Sequence, residues 1–293
     1  MHTNLRNTLP ENQWLELIAK YETGKYLCSD LSTEFQVSRP AISIQFKKRG
    51  IKLNKHRART NRKYTLNEQY FDVIDTQEKA YFLGFLYADG TNCKNGRRVD
   101  LTLAEEDKEI LEKLAALVES NKPLIRVKIK DRQPTRQDQF CFSMNGTRIS
   151  QRLTDLGCMN NKTFKLKFPT KEQVPEHLRR HFIRGYFDGD GGISFTMPPS
   201  RNCMVYKISI TSTQDMLNSI KYLIQKDLLV NISIRPSYAP KRDKKIIMEL
   251  DIVGRKQVMA FLDWMYKDAS ISLQRKFNKY REMQEYLLNK SAV

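Results

Sequence analysis

No window of the chain approaches the ~18 consecutive apolar residues that a bilayer-spanning helix requires. The opening residues, MHTNLRNTLPENQ, carry no hydrophobic core of the kind found in a secretory leader. The expected location is the cytoplasm, with no membrane partner. Cysteine is scarce: Cys28, Cys93, Cys141, Cys158 and Cys203 are odd in number, widely spaced and never paired as CxxC. That argues against a disulfide framework or a zinc ribbon and predicts buried, reduced thiols. Of four histidines only His177 and His181 share helical spacing, and with no third ligand nearby a metal site there is disfavoured. Acidic residues are the other deficit. Against 51 Lys and Arg stand 33 Asp and Glu, a formal charge of +18, which points to a polyanionic partner. With 40% hydrophobic and 10% aromatic residues, the chain is too apolar for a disordered basic tail. Its 293 residues suffice for two or three domains.

Residues 1–53 read as a small all-helical unit. Trp14, Leu15, Leu17 and Ile18 mark one face of a first helix closed by Tyr21-Glu22-Thr23-Gly24. A second helix spans about Ser29 to Phe35. Ser38 is a candidate N-cap and Pro40 falls early in a third helix, which carries Ser43, Gln45, Lys47 and Lys48 outward. Two helices, a short turn and a third helix form the helix-turn-helix pattern, so Ser43, Gln45 and Lys47 are candidate DNA contacts. Residues 54–75 then read as a basic linker or arm. From Lys47 to Lys63 the chain has many cations, Arg57 and Arg59 among them, and no acidic residue; such a run repels itself until an anion neutralises it.

The rest of the chain repeats once. Residues 81–90 read YFLGFLYADG and residues 182–191 read FIRGYFDGDG. Aligning Asp89 with Asp190 brings the flanking patterns into step: helix, two strands, helix, two strands, helix. The elements are predicted over 76–88, 91–104, 107–119, 124–145 and 147–157, and again over 175–189, 192–212, 214–227, 230–252 and 254–266, with a last helix to about Leu288. The repeats are placed at 76–172 and 173–293. Asp75 with Glu78, and Pro175 with Glu176, supply the helix starts. In the strands, apolar and polar residues alternate. Ile125, Val127 and Ile129 are expected to face a core while Arg126, Lys128 and Lys130 face outward; Ile208 and Ile210 point in while Lys207, Ser209 and Thr211 point out. Asn231, Ser233 and Arg235 are outward in the same sense. Two polar, basic sheet faces suit phosphate contacts and base-edge hydrogen bonds.

Within the motif helices small residues fall four apart, Gly84 with Ala88 and Gly185 with Gly189, which lets two helix backbones approach closely. Side-by-side packing on those faces delivers Asp89 and Asp190 to one place. Carboxylates so close repel unless cations intervene. Hard divalent ions, held by Asp89, Asp190 and the unpaired carbonyls of Ala88 and Gly189, resolve that repulsion and activate water against a phosphodiester.

These motifs resemble the LAGLIDADG homing endonucleases of the single-chain, two-motif type with an N-terminal helix-turn-helix, over about residues 70–290. At the sixth motif position stand Tyr87 and Asp188; the final acid is present in both copies. The resemblance implies an α+β fold: two pseudo-symmetric αββαββα halves forming a saddle of two antiparallel sheets, beside the small all-α domain. It implies a monomer that cleaves a double-stranded DNA target with Mg²⁺ or Mn²⁺ to leave 3′ overhangs, working in the nucleoid or organelle matrix where that DNA lies. Intron homing follows from the same resemblance. The family also sets basic residues beside the metals, and Lys162, Lys165 and Lys276 occupy the corresponding places. An intron RNA maturase and a non-cleaving regulator are the alternatives on this fold. An intein is disfavoured, because the chain begins Met1-His2 and ends Lys290-Ser291-Ala292-Val293.

Overall fold

A computed structural model describes residues 7–23, 26, 28–53, 63–129, 137–199, 203–237 and 247–291. The chain forms two compact units, 1–63 and 64–293. In the first, α1 (Glu11–Glu22), α2 (Cys28–Glu34) and α3 (Arg39–Lys48) enclose a small core of Trp14, Leu17, Tyr21, Leu31, Ile42 and Phe46. The buried stripe of α1 is Trp14, Leu17 and Tyr21. Leu15, expected on that stripe, is exposed, since a residue next to Trp14 is turned about 100° around the helix. Ser38 caps α3 by accepting from the Ala41 N–H at 3.4 Å, and Arg49 closes the unit with two 2.7 Å hydrogen bonds to Glu11.

The second unit begins at Tyr64 and not at residue 76. Of the expected arm, 54–62 lie outside the described residues, whereas 64–75 are packed. The Thr65 N–H donates to Asn121 Oδ1 at 2.8 Å, its hydroxyl to the Glu119 carbonyl at 2.7 Å, and Phe71 and Ile74 enter the main core. From there the order is α4 (Gln77–Ala88), β1 (Gly90–Asn92), β2 (Arg98–Ala104), α5 (Lys108–Leu117), β3 (Ile125–Val127), β4 (Gln139–Asn145) and α6 (Thr147–Asp155). It then repeats as α7 (Arg179–Asp190), β5 (Gly191–Thr196), β6 (Val205–Ser212), α8 (Gln214–Asp227), β7 (Ile232–Pro236), β8 (Met248–Val253) and α9 (Arg255–Tyr266), followed by α10 (Gln274–Ser291). The fold is α+β, with two antiparallel four-stranded sheets of identical order, β1-β2-β4-β3 and β5-β6-β8-β7.

Each sheet lays one face on helices. Val99, Leu101 and Leu103 of β2 and Ile208 and Ile210 of β6 are buried with the apolar stripes of α5 and α8. Between the halves run α4 and α7, apolar or enclosed on every side: Ala80 to Tyr87 and His181 to Asp188 are buried without a break, as expected of helices at the centre of a core. The start of α4 differs from the expected pairing of Asp75 with Glu78. Thr76 is the N-cap, accepting from the Lys79 N–H at 3.3 Å, while Asp75 pairs with the Lys79 ammonium at 2.7 Å.

Glycine is required at Gly84 and Gly185 by proximity. A Cβ on Gly84 would collide with the Phe182 carbonyl, and one on Gly185 with the Tyr81 carbonyl. The glycines after the helices, Gly90 and Gly191, do not have the left-handed backbone of a usual helix stop. Both open strands, and a Cβ there would strike Leu86 or Phe187 of the preceding turn.

Candidate metal and nucleic-acid site

Because α4 and α7 touch along their glycines, their C-terminal ends adjoin. The Cβ position at Gly189 lies 3.1 Å from Asp89 Oδ2. Burial and then the neighbouring Asp190 carboxylate push Asp89 up to about 6, against the pull of Lys162 and Lys276. Asp190 is also raised by burial, with the Tyr186 hydroxyl and the same two lysines working the other way. Two carboxylates that hinder each other's ionisation, set beside helix-end carbonyls, make an oxygen-only donor set.

Lys162 and Lys276 hold matching positions. Lys162 Nζ donates to the Gly90 carbonyl. Lys276 Nζ donates to the corresponding Gly191 carbonyl at 2.5 Å, and to those of Phe187 at 2.5 Å and Asp188 at 2.9 Å. Lys276 is only 5% exposed, and burial pushes its ammonium down to about 8. Lys165 is exposed, and its backbone N–H donates to the Lys162 carbonyl at 2.7 Å.

The sixth motif residues do not face this centre. Asp188 Oδ2 accepts from the Tyr81 hydroxyl at 2.8 Å and the Leu273 N–H at 2.7 Å, and Oδ1 accepts from the Tyr266 hydroxyl at 2.7 Å. Tyr87 donates its hydroxyl to the Leu156 carbonyl. Each therefore ties a motif helix to the segment carrying its lysine. A turn earlier, the fully buried Arg184 donates to His181 Nδ1 at 2.6 Å and to the Met265 carbonyl at 3.2 Å, so His181 is engaged by a cation instead of facing a ligand site.

Residues 177–264, which contain α7 and the sheet that follows, match the family model described as a LAGLIDADG-like domain. That stretch, in the second half of the chain, is similar to a LAGLIDADG-like domain. The first half repeats its element order and strand order around Asp89. Among curated proteins, the replication factor C small subunit of Methanocaldococcus jannaschii is 24% identical over 208 residues, 71% of this chain. The match spans 10% of that protein's length. Among solved structures, the LAGLIDADG homing endonuclease I-LtrWI bound to target DNA has a TM-score of 0.48 at 11% identity, covering 76% of this chain and 92% of that one. The meganuclease I-AabMI bound to uncleaved DNA gives 0.45 at 12%, with 72% and 91% covered. I-SmaMI bound to an uncleaved target in the presence of calcium gives 0.45 at 10%, with 74% and 93% covered.

On the second sheet, the register sets Lys207, Ser209 and Thr211 of β6 beside Glu249 and Asp251 of β8, with Ser233 and Arg235 of β7 on the far side. These seven share the face away from the core. Asn231 precedes β7 and is exposed, its N–H donating to Gln257 Oε1. The first sheet departs from its expected facing. Arg126 pairs across from Phe140, a core-side position, and meets Glu105 and Asp138, each at 3.2 Å. Ile125 and Val127 stand instead on the outer face with Cys141 and Gln139, and Ile125 is 53% exposed. A three-residue edge strand buries neither parity, so its alternation says nothing of which face it shows. Lys128 is exposed just past the strand; Lys130, Arg57 and Arg59 lie outside the described residues. In the N-terminal unit Ser43 and Lys47 are exposed on α3 and Gln45 is half-buried.

Three features were missed at the level of sequence. The carboxylates of β8 were legible in the alternation of Met248-Glu249-Leu250-Asp251, and the Arg184 and His181 pair in its i, i+3 helical spacing, whereas the Tyr81, Tyr266 and Asp188 cluster joins residues too distant in the chain to leave a local signal. The thiols also differ from expectation: Cys158 is buried, but Cys28, Cys93 and Cys141 are half-buried and Cys203 is exposed.

Proposed function

We propose that this protein is a site-specific double-stranded DNA endonuclease of the homing type, dependent on a divalent metal. The observation that carries the reading is the glycine contact between α4 and α7, which sets Asp89 and Asp190 at adjoining helix ends with Lys162 and Lys276 bound beside them. The donor set fits Mg²⁺ or Mn²⁺, all hard oxygens: two carboxylates and the helix-end carbonyls of Ala88 and Gly189. An ion held there by Asp89, Asp190 and those carbonyls would supply Lewis-acid polarisation of a phosphodiester and a more acidic water.

The chain's own residues do the rest. Asp89 and Asp190 orient the site, their mutual repulsion favouring occupation by cations. Lys162 and Lys276 set positive charge beside the reacting phosphates, Lys276 rigidly, through three carbonyls. The outer faces of both sheets lie along the major groove, and α3 with Ser43, Gln45 and Lys47 adds affinity as a helix-turn-helix. One chain carries both centres, so a monomer cuts both strands, leaving 3′ overhangs, wherever in the nucleoid or organelle its target lies. The test is to incubate the purified protein with a randomised duplex library and Mg²⁺ and to map the cut ends. One recurrent site with staggered 3′ ends supports the reading. Selective binding without cutting makes the protein a regulator instead.

A further inference from the structure

The outer face of the second sheet carries four charges tied into one array. Lys207 Nζ lies 3.1 Å from Glu249 Oε1 and 2.9 Å from Asp251 Oδ1. From the opposite strand, Arg235 Nη2 lies 3.0 Å from Glu249 Oε1 and Nε lies 2.8 Å from Asp251 Oδ2. The carboxylates stand on the central strand with one cation to each side. Among the described residues the first sheet carries an Arg98–Asp100 pair on its outer face at 2.9 Å but no four-charge array: Gly90 faces Leu101 as Gly191 faces Ile210, and counting from there puts Cys141 and Ser143 where Glu249 and Asp251 stand.

A surface that only gripped phosphate would keep its cations free. Here they are neutralised in a chain of formal charge +18. Nor can they be diverted cheaply. The Asp251 side chain is 7% exposed, and although burial alone would raise it, the Lys207 ammonium at 2.9 Å and the hydrogen bond from Arg235 hold it below the ordinary carboxylate range. Swinging either cation to a phosphate would leave that buried charge with one cationic partner instead of two. The array therefore meets DNA intact. Arg235 has committed Nε and Nη2 and keeps the donors of Nη1, and its side chain is 49% exposed. Guanine presents O6 and N7 as acceptors in the major groove, and its cytosine partner presents an N4 donor that a carboxylate such as Glu249 accepts.

We propose that Glu249 and Asp251 are specificity-determining residues, fixing Lys207 and Arg235 as a rigid array that reads a G·C pair in the half-site under β6, β8 and β7. This rests on the endonuclease reading above. It makes the two halves of the target unequal in kind, one being read through a carboxylate-locked array and the other without it.

The experiment uses full-length protein and the duplex recovered from the randomised library by the wild type. Binding in Ca²⁺ is measured for every single base-pair substitution of that duplex and for an unrelated duplex, across a salt series, with wild type, Glu249→Gln and Asp251→Asn. The wild type should prefer G·C by tenfold or more at one position on one side of the cut. In both variants that preference should fall to about twofold, with the opposite half-site profile unchanged. Binding to the unrelated duplex should strengthen, and its salt slope should steepen by about one unit per carboxylate neutralised. Thermal melting reports folding, and should Asp251→Asn fail to fold, the more exposed Glu249→Gln carries the same test. Base preferences and slopes identical to wild type would overturn the proposal, leaving the carboxylates a purely structural role. A wild type that selects no sequence at all would instead overturn the endonuclease reading, and the array's role with it.

Discussion

Gly84 and Gly185 face one another's helices, each lying where a side chain would strike a backbone carbonyl of the partner, Phe182 for the first and Tyr81 for the second. Backbone cannot step aside as a flexible side chain can, so the contact admits hydrogen and nothing larger. Gly185→Ala should force the central helices apart and destabilise the protein by roughly 3 kcal/mol or more. Urea unfolding measures this; a loss below about 1 kcal/mol would show that the helices slide to absorb a methyl.

Asp89→Asn and Asp190→Asn should each abolish double-strand cleavage while leaving affinity for the selected duplex within a few-fold, because the carboxylates lie at the helix ends and not on the sheet faces. Ca²⁺ should support binding without cutting, since it suits oxygen sites but replaces Mg²⁺ poorly in phosphoryl chemistry. Gel assays of product and complex check both statements, and a double variant that still cuts would remove these residues from the mechanism.

The two lysines should differ in what their loss does to folding. Lys276→Met removes the ammonium from three carbonyls, of which Phe187 keeps the Gly191 N–H, costing about 2–4 kcal/mol, whereas Lys162→Met removes it from one and costs about 1 kcal/mol. Equal losses in chemical denaturation would mean that water replaces the Lys276 ammonium.

Stability should fall on acidification through His181. Burial, then Arg184 and Arg180, push its imidazole down to about 4 from the ordinary 6.5. Between these values the unfolded chain binds the proton and the folded one does not, so this contribution is fully present above pH 6.5 and is lost as pH falls towards 4. The loss from this one residue should be on the order of 2 kcal/mol. His181→Gln should flatten the dependence of unfolding free energy on pH in that window, and an unchanged slope would assign it to the carboxylates.

Cleavage should reside in residues 64–293, which hold both motif helices and both sheets. A fragment starting at Tyr64 keeps the Thr65 bonds to Asn121 and Glu119; one starting later loses them and should be less stable. The fragment should bind more weakly and protect less DNA at one end, with the cut unmoved. Footprinting and end mapping decide it: a displaced cut would show that residues 1–63 help to set the register.

Periodicity and spacing are local properties, and what depends on them was legible before any coordinates. The duplicated Asp-Gly helices, the alternation that buries Ile208 and Ile210 beneath Lys207 and Ser209, the Ser38 cap of α3 and the small residues at Gly84 and Gly185 all follow from neighbours a few residues apart. Other features depended on which distant segments meet. The ammonium of Lys276 reaches carbonyls 85 to 89 residues away, which separates it from the equally basic Lys165. Asp188 acts as a buried anchor because Tyr81 and Tyr266 converge on it from two other helices. Arg126 turns to the helix side because pairing with β4, and not its own alternation, sets the register of a three-residue edge strand. Local sequence determined the elements and their faces, since backbone geometry repeats every few residues; tertiary packing chose the partners, since burial makes each charge seek the one arrangement that satisfies it.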